Sequence, residues 1–357
     1  MLGISVYLGN DPHHMEPLVA KAQSYQLQSI FTSLHIPEDD PAVYRERLKR
    51  LGMLAKQYNM LLFVDVSSQS LAYLNMDQPT ELVAWGVTGL RLDDGYNDQE
   101  IVEWSKQMKI GLNASTVNED MLKRWIGLGL NIQNVEAWHN FYPRPETGLD
   151  VRFFVARNQM FQQYGIATTA FIPGDHKLRG PLYAGLPTLE KHRKQAPHLA
   201  CAELLFQYHV DHVLIGDISA KDCTLSLLAS LAEKIVPLRC VMKNQDDENL
   251  RLLVEGTHTN RLDLARDVIR SQESRLYAQK NGMKIMPSSV ISRTKGSVTI
   301  DNDLYNRYAG ELQITKRSLP KDARVNVVAK VVDEDIPLLE CIGPGQKFRI
   351  IVQSSVS

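Results

Sequence analysis

Short apolar runs recur along the first two-thirds of the chain, at residues 2–8, 29–34, 61–67, 89–95, 110–116, 134–142, 166–174 and 212–219. Each ends in polar or small residues. Between them lie longer stretches with helical spacing, at 15–26, 41–58, 98–108, 119–128, 150–164 and 188–209. Continuous apolar strands covered by amphipathic helices read as a parallel sheet buried on both faces. About eight such units over ~235 residues match the needs of a (β/α)₈ TIM barrel. A doubly wound sheet is the rival, but the first run leads into Gly9-Asn10-Asp11-Pro12 and not into a glycine-rich dinucleotide fingerprint.

The pattern changes near Val236-Pro237-Leu238. Beyond it β-like runs dominate, at 238–242, 296–300, 310–315, 325–332 and 347–353, and residues 262–281 form the one long polar, helix-compatible stretch. The expected organisation is therefore an α/β barrel domain over residues 1–237, which would carry the catalysis, and a small mainly-β barrel over residues 238–357.

Composition narrows the partners. Lys plus Arg is 40 and Asp plus Glu is 41 in 357 residues, a formal charge of -1. No overall field draws such a chain to nucleic acid or an anionic membrane, so neither is expected as a partner. No apolar run approaches the ~18 residues of a membrane span, and the first residues show no signal peptide. Cys201, Cys223, Cys240 and Cys341 form no CxxC pair, which fits buried thiols in a reducing cytoplasm. His13-His14, and His209 with His212, do not make a metal-ligand spacing. No metal and no cofactor are expected, and no GxSxG elbow marks a serine nucleophile.

Polar residues gather where the apolar runs end: Asp65, Arg91, Asp93, Asn113, His139 and Asn140. In a barrel these ends share one mouth, where activity sits. The carboxylates Asp65, Asp93, Asp94, Glu146 and Glu190 lie at strand ends or in the loops beyond. Paired, they can work as acid and base, or acid and nucleophile, on a glycosidic bond. Alternatively, some cap helices or hold loops through arginine and backbone N–H groups. Residues 137–149 place His, Asn, aromatics, Arg and Glu in one proline-stiffened loop, a composition suited to a sugar ring. Residues 174–181 offer Lys177 and Arg179 to a phosphate, or are a solvated basic loop. In the second domain Tyr305, Arg307 and Tyr308 either pack that domain or form a lid over the first.

Certain strings taken in chain order are recognisable. They include Leu2-Gly3-Ile4-Ser5-Val6-Tyr7, Leu90-Arg91-Leu92-Asp93, Leu112-Asn113-Ala114-Ser115-Thr116 and His139-Asn140-Phe141-Tyr142-Pro143. Gly185-Leu186-Pro187-Thr188-Leu189-Glu190-Lys191-His192-Arg193, Lys295-Gly296-Ser297-Val298-Thr299-Ile300-Asp301-Asn302 and Tyr308-Ala309-Gly310-Glu311-Leu312 continue the series. Nearly the whole chain resembles the bacterial MupG-type 6-phospho-N-acetylmuramidases. The resemblance implies a TIM barrel followed by a cyclophilin-like barrel and a cytoplasmic glycosidase of cell-wall recycling. It implies as partner a phosphorylated amino-sugar disaccharide, 6-phospho-N-acetylmuramyl-β-1,4-N-acetylglucosamine, formed by phosphotransferase uptake. Water would release N-acetylmuramic acid 6-phosphate and N-acetylglucosamine.

Residue roles come from the strand-end clustering alone. Asp93 and Glu146 are the expected catalytic carboxyl groups, with Asp65 and Glu190 in reserve. Arg91, Asn113, His139 and Asn140 are expected to position the substrate, and Arg293, Tyr305 and Arg307 to clamp its phosphate or lactyl group. Two other functions stay open. A phosphosugar isomerase or aldolase would need a strand-end lysine or a metal. A sugar-phosphate sensor would bind the same ligand without turnover.

Overall fold

The computed structural model describes residues 1–34, 36, 40–76, 78–93 and 95–353. Contacts divide the chain into two compact units, Met1–Ala232 and Glu233–Ser357.

The first unit is a TIM barrel. Eight parallel strands close into a ring in chain order: β1 (Leu2–Ser5), β2 (Ser29–Ser33), β3 (Leu61–Val66), β4 (Gly89–Leu92), β5 (Lys109–Asn113), β6 (Val135–Trp138), β7 (Ala167–Ile172) and β8 (His212–Ile215), with β8 pairing back onto β1. Helices alternate with them: α1 (Met15–Ser24), α2 (Tyr44–Gln57), α3 (Ser68–Tyr73), α4 (Asp98–Ser105), α5 (Glu119–Gly127), α6 (Val151–Gln163), α7 (Pro197–Phe206) and α8 (Asp222–Ala232). Their starts are written in the sequence. Asn97 accepts from the N–H groups of Gln99 and Glu100, and Glu100 returns a bond to the Asn97 N–H at 2.8 Å, a capping box at the head of α4. Asp150 caps α6 by accepting from the N–H groups of Arg152 and Phe153.

Along each strand alternate side chains enter the ring. The inward set packs an aromatic floor of Phe31, Phe63, Trp138, Phe171 and Leu214, with the Phe63 and Trp138 ring centroids 4.8 Å apart. Gly111 makes room for it, since a Cβ there would stand 2.7 Å from the Trp138 ring. Everything inward and C-terminal to this floor faces the mouth.

The second unit is a seven-stranded mixed sheet. Its strands are β9 (Ile235–Met242), β10 (Gly256–Thr259), β11 (Val268–Arg270), β12 (Ser297–Asp301), β13 (Leu312–Thr315), β14 (Val325–Val331) and β15 (Lys347–Gln353), in the order β10-β15-β9-β14-β12-β13-β11. All pairs are antiparallel except β9 with β15. The sheet curls until its edges meet through the bridge between Asn260 and Ser271.

β9 lies whole in the second unit and runs through Pro237, a residue type that sheets mostly confine to edge strands, strand starts and bulges. Here it pairs with Arg349 of β15, and β14 joins β9 only from Cys240 onward. The long helix expected at 262–281 is instead β11 followed by the short α10 (Ser274–Lys280). Among the described residues no helix is long and apolar enough to cross a membrane.

Candidate active site

Arg91 is the centre of the barrel mouth. It leaves β4 pointing inward above the aromatic floor and is 4% exposed. Its Nη1 donates to Asp65 at 2.5 Å and to Asp93 at 3.3 Å, and its Nη2 donates to Asn140 Oδ1. Asp65, 5% exposed at the end of β3, also accepts from Ser33 Oγ at 3.0 Å. Asp93 also accepts from Asn113 Nδ2 at 3.3 Å. Five strands, β2 to β6, thus contribute to the network around one guanidinium. Burial pulls Arg91 toward losing its proton, but the charges of Asp65 and Asp93 outweigh it and raise its pKa above the ordinary value. Removing one partner of such a buried pair typically costs about 3–5 kcal/mol. The two acids differ in access: the Asp65 side chain is 8% exposed, the Asp93 side chain 33%. Asp93 is the more accessible of the two.

The loop after β6 forms the next wall. Phe141 packs edge-on against Phe171, 5.2 Å between centroids, and Tyr142 OH lies 3.5 Å from Ser115 Oγ. The loop is held by Glu190, which accepts from the Glu146 N–H at 2.9 Å and the Gly148 N–H at 2.7 Å. Arg193 grips the same carboxylate through Nε and Nη2, both at 2.6 Å. The Arg193 hydrogen bonds, aided by the two backbone donors, bring the Glu190 pKa down to about 2. Glu190 is therefore an anchor for the loop. Gly148 permits the close approach, since a Cβ would meet Glu190 Oε2 at 2.6 Å. Glu146 itself is exposed and held at φ 71°. That conformation costs a non-glycine residue of order 1–3 kcal/mol and is met most often at functional sites. Its carboxylate has no partner among the described residues.

A third wall comes from β1, the loop after β7 and the end of β8. Tyr7 follows β1 inward, and its hydroxyl donates to the Gly216 carbonyl. Burial pushes that phenol well above its usual range. The Arg179 guanidinium lies over the Tyr7 ring, 4.4 Å from its centroid. Asp217, buried beyond β8, accepts from the N–H groups of Gly174 (2.8 Å), Arg179 (2.9 Å) and Leu186 (3.1 Å) and so sets the loop that carries Arg179. Lys177, the other basic residue of that loop, is exposed.

His139 does not join this group. It is fully buried, its ring lies 4.4 Å from Phe154 of α6, and its Nε2 is bonded to Asn158 at 2.7 Å. Burial lowers its pKa to about 4, so it is neutral at physiological pH. The reason is parity: Trp138 and Asn140 point into the barrel, so the residue between them points out. Asp94 lies outside the described residues. Arg293, Tyr305 and Arg307 belong to the second unit. There Arg293 Nε donates to the Pro320 carbonyl at 2.9 Å, Arg324 lies over the Tyr305 ring at 4.5 Å, and Arg307 Nη2 donates to Tyr308 OH at 2.7 Å.

The structure thus brings Asp65, Arg91, Asp93, Asn113 and Asn140 together, ties Glu146 to Glu190 in a neighbouring loop, and turns His139 away. Sequence reasoning missed Ser33, Tyr7 and Asp217. Asp217 carries the same mark as Asp65, an acid closing the apolar run Val213-Leu214-Ile215-Gly216. Ser33 and Tyr7 carry none beyond their place after an apolar run.

Comparisons with known proteins cover both units. The family described as 6-phospho-N-acetylmuramidase, N-terminal, matches residues 2–230, and its C-terminal counterpart matches residues 236–351. Among solved structures, a conserved protein of unknown function from Enterococcus faecalis is 37% identical, with a TM-score of 0.81 over 99% of this chain and 97% of its own. An uncharacterised Bacillus cereus protein is 26% identical, with a TM-score of 0.81 over 98% of this chain and 99% of its own. No match was found among curated proteins.

Proposed function

Because this chain belongs to the 6-phospho-N-acetylmuramidase family, we propose that it hydrolyses 6-phospho-N-acetylmuramyl-β-1,4-N-acetylglucosamine to N-acetylmuramic acid 6-phosphate and N-acetylglucosamine. The observation that carries this reading is Asp93, an acid one-third exposed at the barrel mouth and held in place by Arg91 and Asn113. Asp93 and Glu146 are the two working carboxyl groups. One donates its proton to the glycosidic oxygen as the bond to the anomeric carbon breaks. The other attacks that carbon or takes a proton from the attacking water. One water is consumed, its hydroxyl ending on the muramic acid. Its proton returns to the acid directly when the second carboxylate has attacked, or rests on that carboxylate while the acid is reprotonated from solvent.

Asp65 keeps Arg91 charged and in place. Asn113, Asn140 and the outer edge of Arg91 face the sugar's hydroxyl and acetamido groups. Arg179, stacked on Tyr7, meets the phosphate, in keeping with barrel phosphate sites built from the loops after the seventh and eighth strands. A substrate phosphorylated on uptake places the enzyme in the cytoplasm, and no cofactor is called for.

The test is a product assay on the purified chain with the disaccharide, phosphorylated and not. Release of N-acetylglucosamine from the phosphorylated form, at a kcat/KM at least tenfold above the other, is expected. Saturable binding with no release would make the protein a sensor and end the hydrolase reading.

A further inference from the structure

The turn that grips the Glu146 loop is itself gripped from behind. Glu190–His192 is one turn of 3₁₀ helix, closed by Arg193. Three residues per turn put side chains i and i+3 on one face. Glu190 and Arg193 therefore point together toward the loop, where Glu190 takes the N–H groups of Glu146 and Gly148 and Arg193 Nη2 donates to the Arg144 carbonyl at 3.3 Å. Lys191 and His192 are left to the other faces, and both reach Glu203 of α7. Lys191 Nζ donates to Glu203 Oε1 at 2.5 Å, and His192 Nε2 is bonded to Glu203 Oε2 at 2.7 Å. Tyr208 OH donates to the same carboxylate at 3.1 Å and accepts from Lys191 Nζ at 3.2 Å.

This second cluster lies inside the protein. His192 is fully buried, and the Glu203 side chain is 14% exposed. An ionised carboxylate only accepts, so His192 Nε2 is the donor and its Nδ1 is a bare acceptor. Nδ1 is buried with no hydrogen-bond partner among the described residues. A proton there would leave a buried N–H unpaired, so the imidazole stays neutral, and burial holds its pKa below the ordinary value. Burial also opposes the charge of Glu203, but the bonds from His192 and Lys191 outweigh it and bring that carboxyl down to about 2. Packing continues behind the cluster. Tyr208 meets Phe154 edge-on, 6.0 Å between centroids, and the Phe154 ring lies 4.4 Å from that of His139, where the same loop begins.

The backbone bonds of the turn, from the N–H groups of His192, Arg193 and Gln195, fix its shape but not its orientation against α7. The Glu203 contacts supply that orientation. We propose that Glu203 is a remote positioning residue of the barrel mouth: by clamping Lys191 and His192 it fixes the Glu190 carboxylate, and through it the backbone at Glu146 and Gly148. Glu203 bonds to no residue of that loop among the described residues, so it acts only through the turn. Buried ionic groups are best attested where they select one arrangement among several. A reacting carboxyl group needs such selection, because a displacement of about 1 Å caused far from the chemistry can lower a rate about 10²-fold. The clamp itself stands on the geometry. That the position of the loop governs turnover rests on the hydrolase reading of Glu146.

Glu203→Ala in the full chain, labelled with nitrogen-15, tests the two halves separately. Hydrogen exchange at the Glu146 and Gly148 amides is expected to quicken by about tenfold or more, while the amides of the eight barrel strands exchange as in the parent chain. Glu203→Gln, which keeps one acceptor, is expected to lie between. Lys191→Met, on the more exposed side of the cluster, is expected to shift the same two amides and decides the matter should Glu203→Ala not fold. With the phosphorylated disaccharide, kcat of Glu203→Ala is expected to fall by about tenfold or more at a KM changed by less than about twofold. Parent-like exchange at Glu146 and Gly148 in the folded variants, or a rise spread evenly over the barrel, overturns the inference. So does faster exchange at those two amides with an unchanged kcat, since the loop would then move without consequence. A parent chain that hydrolyses nothing would end the hydrolase reading, while the exchange measurement would still decide whether Glu203 positions the loop.

Discussion

At the barrel mouth Arg91 closes on Asp65 at 2.5 Å and reaches Asp93 and Asn140 as well, whereas in the second unit Arg293 leaves the buried Asp301 without a partner. Each region holds an aspartate at or near the end of a strand, and both aspartates are 5% exposed. They differ in completeness. The barrel pair has been desolvated and compensated inside the protein, so its work is to hold shape: it keeps Asp93 in place at the barrel mouth. Asp301 has no such partner among the described residues, and burial raises its carboxyl to about 7. Buried charge that is paired inside the protein holds shape, and a carboxyl that burial leaves without a partner shifts its own pKa instead.

The largest effect expected under this division is kinetic. Asp93→Asn and Glu146→Gln each remove a carboxyl group to which the proposed hydrolysis gives a part in the reaction. Loss of such a group lowers kcat by about 10²–10⁴-fold, with melting temperatures close to that of the parent chain. Near-normal turnover of the phosphorylated disaccharide in either folded variant would strip that residue of its role. For Asp93 it would also break the link between the closed Arg91 pair and function.

Next in size is stability. Arg91→Met takes from the buried Asp65 the cation that balances its charge, and should cost about 3–5 kcal/mol in urea unfolding. Arg293→Met removes one hydrogen bond to a carbonyl and should cost about 1 kcal/mol. Equal losses would mean that Arg293 is as much a part of the scaffold as Arg91, and the contrast between the two regions would disappear.

How far these regions could be seen in the sequence depended on the length scale of the signal. The eight strands were legible because each is a continuous apolar run of four to six residues with a polar end. The same rule located Asp65, Arg91, Asp93, Asn113 and Asn140. It could not separate His139 from Asn140, because both follow the same strand and only the parity set by Trp138 decides which one enters the barrel. Nor could it distinguish Glu146 from Glu190, since the difference lies in which one meets Arg193 and two backbone N–H groups. In the second unit β10 and β11, of four and three residues, are too short and too polar for an alternation to show. α8 was missed for the opposite reason: Leu225-Ser226-Leu227-Leu228-Ala229 is apolar around most of its circumference and presents no stripe. Asp301 carried no signal, because nothing in Asp301-Asn302-Asp303 says that the first of the three is buried.

The smallest expected effect is the most direct measure of paired against unpaired charge, since it compares two carboxylates by the sign of their response to pH. Glu190, engaged by Arg193, has its pKa lowered from 4.5 to about 2. The folded state therefore binds its proton less readily than the unfolded chain. Its contribution is present above pH ~4.5 and is lost as pH falls toward 2. Asp301, unengaged, has its pKa raised from 3.8 to about 7. The folded state holds its proton more readily, so its contribution is complete below pH ~4 and is lost as pH rises through 7. Urea unfolding at a series of pH values should therefore show Glu190→Gln closing its gap to the parent chain as acid is added. Asp301→Asn should close its gap, or overtake the parent, as base is added. Two variants drifting the same way would mean that Asp301 already has a partner inside the protein.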